Sequence, residues 1–321
     1  MKILIADKLP DSVADSLSKK GHICTTDSSL TNESLPDSIK DYEILIVRST
    51  KVMTNTLNEA ENLKLIVRAG AGTNTIDKEY ASKKGIKVCN VPGANSIAVA
   101  ELAMGLIISV DRNIPENVFD LREGIWNKKK YSSSKGIYGR NLGILGLGAI
   151  GMALAERAKA FGMNVFGVAK ASRSEESQSL IFESGIILLN SREELLEKCD
   201  VVSIHLPSVE ETKEIVNQDF LNQMKEGSII VNTSRGELVD EEALIKAMNE
   251  KGIRAALDVY KNEPGAGDSS FKSELAQHPN VYGTHHIGAS TQQAQDAVAE
   301  GVVKVIEAFA DGGLLNCLNQ E

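Results

Sequence analysis

Three short segments bring together residue types that can exchange a proton next to a carboxylate. Val231–Gly236 (VNTSRG) sets Arg235 just past an apolar run, and Leu257–Pro264 (LDVYKNEP) sets Asp258 and Glu263 past the next. Thr284–Gly288 (THHIG) sets His285 and His286 past a third. A guanidinium holds a carboxylate and a neighbouring oxygen through parallel hydrogen bonds, which an ammonium cannot do. An imidazole near neutrality gives and takes a hydroxyl proton. A carboxylate beside the imidazole favours its charged form and fixes its orientation. These are the parts needed to interconvert a 2-hydroxy acid and a 2-keto acid, with one of the two histidines structural. The hydride itself calls for a nicotinamide.

The elements that must carry these residues centre on Asn141–Gly151 (NLGILGLGAIG). An apolar strand runs into Gly146-Leu-Gly148-Ala149-Ile150-Gly151, and Met152–Phe161 reads as a helix. In the dinucleotide-binding fingerprint the first glycine permits a tight turn, the second lets backbone N–H groups approach a pyrophosphate, and the third lets helix and strand pack closely. The helix start adds partial positive charge. Further strands are expected at 164–168, 186–188, 201–204, 228–231, 253–257 and 280–282, with crossover helices such as 195–198 and 241–251. Short apolar strands at 3–5, 44–47, 65–67 and 86–88, with helices at 10–20 and 76–84, predict a smaller parallel sheet of its own. An all-round apolar helix from Ser96 to Val110 implies burial at a domain or subunit boundary. A final helix over 291–309 is expected to dock on the first domain and make it discontinuous. The fold class is therefore α/β with two doubly wound parallel sheets. The nucleotide-binding Rossmann domain (98–287) is inserted into a substrate-binding domain (1–97 and 288–321).

Composition narrows the partners. At 321 residues the chain can build two such cores, and a net charge of −9 argues against general binding to nucleic acid or an anionic membrane. Any anionic substrate must meet a local cationic pocket. No apolar stretch approaches a membrane span and the opening MKILIAD lacks a signal-peptide pattern, so a cytoplasmic protein is expected. Cys24, Cys89, Cys199 and Cys317 lie far apart with no metal spacing, and read as buried or incidental thiols. No metal is expected.

SRGELVDEEAL, ALDVYKNEP and HHIGAST, in that order, resemble the signatures of the D-isomer-specific 2-hydroxyacid dehydrogenases, and the resemblance covers essentially the whole chain. It implies Arg235 as the substrate-anchoring arginine, Glu263 as the partner carboxylate and His286, not His285, as the acid/base. It implies a flavodoxin-like substrate domain and a homodimer to which the helix from Ser96 contributes. It implies cofactor contacts from Gly146, Gly148, Ala149, Ile150, Gly151, Ala169, Lys170, His205, Pro207, Thr212, Thr233, Asp258 and Gly288, with Asp258 set to bind the carboxamide. Within the family, IVRSTKV (46–52) and VRAGAG (67–72) resemble the substrate-domain loops of members acting on 3-phosphoglycerate. WNKKKY (126–131) resembles the basic segment after their dimer helix. Arg48, Arg68, Ala71, Gly72 and Asn95 are then expected to bind a small phosphorylated 2-hydroxy or 2-keto acid, the arginines taking the phosphate.

Two departures matter. NAD-users usually carry an acidic residue after the second strand for the ribose 2′-OH, and this chain has Ala169 followed by Lys170, Ser172 and Arg173. NADP acceptance is one reading. NAD bound without that hydrogen bond, or with a carboxylate such as Glu175, is the other. The resemblance also stops near Leu314–Asn319, so no appended serine-sensing domain is expected. Other readings are a glyoxylate or hydroxypyruvate reductase and, on the same scaffold, a nucleotide-sensing corepressor.

Overall fold

The computed structural model describes residues 1–264 and 270–319. The chain divides into two compact units, Met1–Asn95 with Ala289–Glu321, and Ser96–Gly288. The cuts fall after Asn95 and Gly288 rather than after residues 97 and 287.

In the first unit, β1 (Lys2–Ile5), β2 (Ile23–Thr26), β3 (Ile44–Val47), β4 (Leu65–Arg68) and β5 (Lys87–Asn90) form a parallel sheet in the order β2-β1-β3-β4-β5. That is the flavodoxin-like order, which reverses direction between β1 and β3. β3 reads ILIV because both faces are covered. Ile44 and Ile46 join one apolar cluster, Leu45 and Val47 the other. Helix Gln292–Ala310 supplies Ala299, Val302, Val305 and Ile306 to the first cluster, so a late segment of the chain completes the core of this unit.

In the second unit, β6 (Asn141–Leu145), β7 (Asn164–Val168), β8 (Ile187–Leu189), β9 (Val201–Ile204), β10 (Ile229–Asn232), β11 (Arg254–Leu257) and β12 (Val281–Gly283) are all parallel. Their order is β12-β11-β10-β9-β6-β7-β8. The connection reverses between β6 and β9, the doubly wound switch point beyond which ligands bind at the carboxyl ends of strands. Helix Ser96–Arg112 packs most of its apolar side chains, Ala100, Ala103, Met104, Leu106, Ile107 and Val110, into this unit's core.

Four details differ from the sequence reading. The sequence does not predict β2, because ICTT is largely exposed and carries no apolar period. Nor does it predict helix Ile114–Arg122, which buries none of its residues. The helix after β6 begins at Ala149, inside the glycine motif, with Gly148 as its N-cap. Finally, Cys89 and Cys317 are not isolated thiols: they face each other in an antiparallel bridge. Among the described residues no helix is long and apolar enough to cross a membrane.

Candidate active site

Arg235, Asp258, Glu263 and His286 all lie just past the carboxyl ends of β10, β11 and β12. The segment after β12 is moulded around one carboxylate. Asp258 is 1% exposed. Its Oδ1 accepts from the Thr284 hydroxyl (2.6 Å) and the Ile287 N–H (2.9 Å), and its Oδ2 from the Gly288 N–H (2.8 Å). The His286 N–H donates to the Asp258 carbonyl at 2.8 Å. These bonds hold His286 at φ 52°, a left-handed conformation that a residue with a Cβ adopts only when its surroundings impose it. The carboxylate expected to bind a carboxamide is thus chiefly engaged in shaping the histidine's loop, with a lone pair on Oδ2 left for a further donor.

That loop sets the His286 Nδ1 2.7 Å from Glu263 Oε2, while Glu263 Oε1 accepts the Tyr260 N–H at 3.0 Å. The hydrogen bond to Glu263 raises the His286 pKa above its ordinary 6.5 against the opposing effect of burial, and the charges of Glu263 and Asp258 add to the rise. Burial pushes the Glu263 carboxyl upward, but the bonds from His286 and the Tyr260 N–H, with the charges of His286 and Arg235, hold it below its usual value. The pair therefore favours imidazolium beside carboxylate, with Nε2 as the ring nitrogen left to meet a substrate.

Arg235 is positioned from below. The Asn232 amide donates to the Arg235 carbonyl (2.8 Å), and the Ser234 hydroxyl donates to the Ile204 carbonyl (2.5 Å). A Cβ on Gly236 would collide with the Tyr260–Lys261 backbone, so glycine is required for the two loops to approach. The guanidinium donates once to the Ser234 carbonyl, 2.6 Å away, which leaves further N–H donors for a ligand.

At the switch point, Gly146 has φ +103° and a Cβ there would strike the His205 carbonyl. A Cβ on Gly151 would strike the Gly146 carbonyl. A Cβ on Gly148 would meet open space, which suits a ligand approaching the N-terminus of helix Ala149–Ala160, where Ala149 and Ile150 form the first turn. Two buried polar atoms nearby in the sheet have no hydrogen-bond partner among the described residues: His205 Nδ1 after β9 and Thr233 Oγ1 after β10. Burial pushes the His205 pKa down to about 4, so the ring is neutral, with Nε2 2.8 Å from the Ser203 hydroxyl. Thr212 donates to the Pro207 carbonyl at 2.6 Å and shapes the loop after β9. Ala169 and Lys170 are exposed after β7, and Arg173 folds back to donate to the Val168 carbonyl at 2.8 Å. Glycines, helix terminus and orphaned polar atoms together fit a dinucleotide.

In the first unit, Arg68 ends β4 opposite Val47 of β3, and Arg48 follows Val47, so the two arginines occupy adjacent strand ends. Asp7, which the sequence reading passed over, accepts the N–H groups of Arg48 (2.6 Å), Ser49 (3.0 Å) and Thr50 (3.0 Å) and fixes that loop. Gly70 has φ +134°, and a Cβ there would overlap the Arg68 guanidinium. The Asn90 amide donates to the Ala71 carbonyl at 2.6 Å, leaving Gly72 half-buried in the same loop. Asn95 closes this unit's first stretch. Lys130 is bound to Asp120 at 3.1 Å, within the second unit.

The chain belongs to the D-isomer-specific 2-hydroxyacid dehydrogenase family: the family's NAD-binding-domain model matches residues 104–288. It is 40% identical to D-3-phosphoglycerate dehydrogenase of Methanocaldococcus jannaschii over 99% of this chain, and it spans 60% of that relative's length. It is 36% identical to hydroxypyruvate reductase of Thermotoga maritima over 98% of this chain and 99% of the relative. Among solved structures, an acyclic imino acid reductase in complex with NADPH and D-Arg is similar with a TM-score of 0.85, at 26% identity over 99% of this chain and 100% of that one.

Proposed function

We propose that this chain interconverts 3-phospho-D-glycerate and 3-phosphohydroxypyruvate with NAD or NADP. The reaction type rests on one observation above all, the 2.7 Å His286–Glu263 pair on the same sheet edge as Arg235. In the oxidising direction His286 Nε2 takes the proton of the substrate hydroxyl, and Glu263 stabilises the imidazolium that results. Arg235 holds the substrate carboxylate and the oxygen that becomes a carbonyl. A bound nicotinamide dinucleotide supplies the hydride acceptor, or the donor in reverse. Gly146, Gly148, Gly151 and the first turn at Ala149 and Ile150 would hold its pyrophosphate. His205, Pro207, Thr212, Thr233, Asp258 and Gly288 would line the rest of its site. With no acid at Ala169, Lys170 and Ser172 are free to meet a 2′-phosphate, so NADP is accepted.

Arg48 and Arg68 support a phosphorylated substrate, and Ala71, Gly72 and Asn95 would supply carboxylate or hydroxyl contacts. The relatives named D-3-phosphoglycerate dehydrogenase support the same choice. The hydroxypyruvate reductase, matched over its full length, favours a second reading in which the substrate carries no phosphate. A homodimer is part of the proposal: Ile114, Val118 and Leu121, spaced to share one face of helix Ile114–Arg122, are 41%, 40% and 58% exposed, an apolar face suited to a second copy.

The test of the reaction assignment is His286→Ala. Turnover should fall by about 10³-fold, while NADH binding followed by fluorescence stays within a factor of two or so of the unaltered chain. Near-normal turnover would remove His286 from the chemistry.

A further inference from the structure

The four cysteines carry no part of the reaction above, yet two of them have been brought together. Cys89 on β5 faces Cys317 across an antiparallel bridge. The flanking bonds define its type: the Asn90 N–H donates to the Asn316 carbonyl (3.3 Å) and the Leu318 N–H to the Val88 carbonyl (2.8 Å). The bonds therefore lie on either side of the cysteines, which form a non-hydrogen-bonded pair. In such pairs the Cα atoms approach to about 4.5 Å and the side chains lie close on one face. Disulfides need Cα separations of about 4.4–6.8 Å. β5 is an edge of its sheet, and the segment after helix Gln292–Ala310 lies along it. Asn319 helps fix the register, its side chain accepting the Val88 N–H at 2.8 Å and donating to the Ile86 carbonyl at 2.8 Å.

We propose that Cys89 and Cys317 form a redox-modification site, closed to an intrachain disulfide by a small-molecule disulfide and reopened by a thiol. Cys317 is partly exposed and Cys89 fully buried, so the reagent reaches Cys317. The Cys317 thiolate attacks the reagent's S–S bond, forming a mixed disulfide and releasing one reagent thiol. Cys89 then loses its proton and attacks the Cys317 sulfur, expelling the second reagent thiol. Two protein thiols are oxidised to one disulfide, and one small disulfide is reduced to two thiols. Burial, with the neighbouring Cys317, pushes the Cys89 thiol up to about 12, consistent with Cys89 acting second. Closure would fasten residues 314–319 to the sheet edge and enclose the entire second unit within the covalent loop.

The test is to incubate the full chain with oxidised glutathione, alkylate the remaining thiols and map peptides by mass spectrometry without reduction. The proposal expects loss of two of the four thiols, a peptide pair joined through Cys89 and Cys317, and full recovery on adding dithiothreitol. In Cys317→Ser the joined pair should vanish and Cys89 should remain a free thiol. A stable glutathione adduct on Cys317 with Cys89 still reduced would overturn the proposal. So would survival of both thiols at glutathione ratios that oxidise ordinary vicinal pairs.

Discussion

At the scale of single residues, the proposed chemistry depends on how Glu263 tunes His286. Reduction of a keto acid draws on the imidazolium, so its rate should fall as pH rises through the raised His286 pKa, and oxidation should rise through the same point. Glu263→Gln keeps a hydrogen-bond partner but removes the charge. The reductive limb should then move to lower pH, read from kcat/KM against pH for the two proteins. An unchanged midpoint would mean that the carboxylate only orients the ring. The same pair links folding to pH. The His286 contribution is complete below 6.5 and is lost as pH climbs through its raised folded value. The Glu263 contribution is complete above 4.5 and is lost as pH falls through its lowered one. Both side chains are partly exposed, so this window is shallow.

At the scale of elements, each functional group owes its place to a strand end and to a short device that re-aims the chain there. Asp7 pins the Arg48 loop, Asp258 pins the His286 loop, and Gly236 lets the Arg235 loop touch the Tyr260 backbone. The end of β7 is where cofactor choice is decided. Ala169→Asp would set a carboxylate where a 2′-phosphate has to lie, and like charges brought together repel. kcat/KM with NADPH should fall by about tenfold or more, with the NADH value held or improved. Equal loss with both cofactors would mean that the substitution damages the turn rather than selecting between them. The exposed face of helix Ile114–Arg122 makes a separate claim. Leu121→Asp should convert a dimer into a monomer in light scattering, and a monomeric unaltered chain would remove that interface from the account.

At the scale of the whole molecule, much was legible because parallel sheets are buried on both faces and read as short apolar runs. The strands β3, β4, β6 and β9 carry that signal, and the glycine turn, Arg235, Glu263 and His286 were legible as residue types set just past the ends of such runs. What the sequence hid was set by contacts distant along the chain. β2 is exposed and polar, and pairs only because β1 offers an edge. The start of the helix at Ala149 depends on Gly148 serving as its cap, which composition cannot distinguish from a longer loop. The carboxylates of Asp7 and Asp258 collect backbone donors that only the folded loops bring together. The Cys89–Cys317 pairing likewise needs the last segment to return along β5.

Selectivity for a phosphorylated substrate is read from initial rates of reduction. 3-Phosphohydroxypyruvate, hydroxypyruvate and glyoxylate would be compared with NADH and with NADPH, in the unaltered chain and in Arg48→Ala and Arg68→Ala. The phosphorylated substrate should lead in kcat/KM. Each arginine variant should raise its KM by about tenfold, the loss of one charge-assisted contact, and leave the unphosphorylated substrates nearly unchanged. Preference for hydroxypyruvate or glyoxylate, with both variants indifferent to the phosphate, would contradict that selectivity.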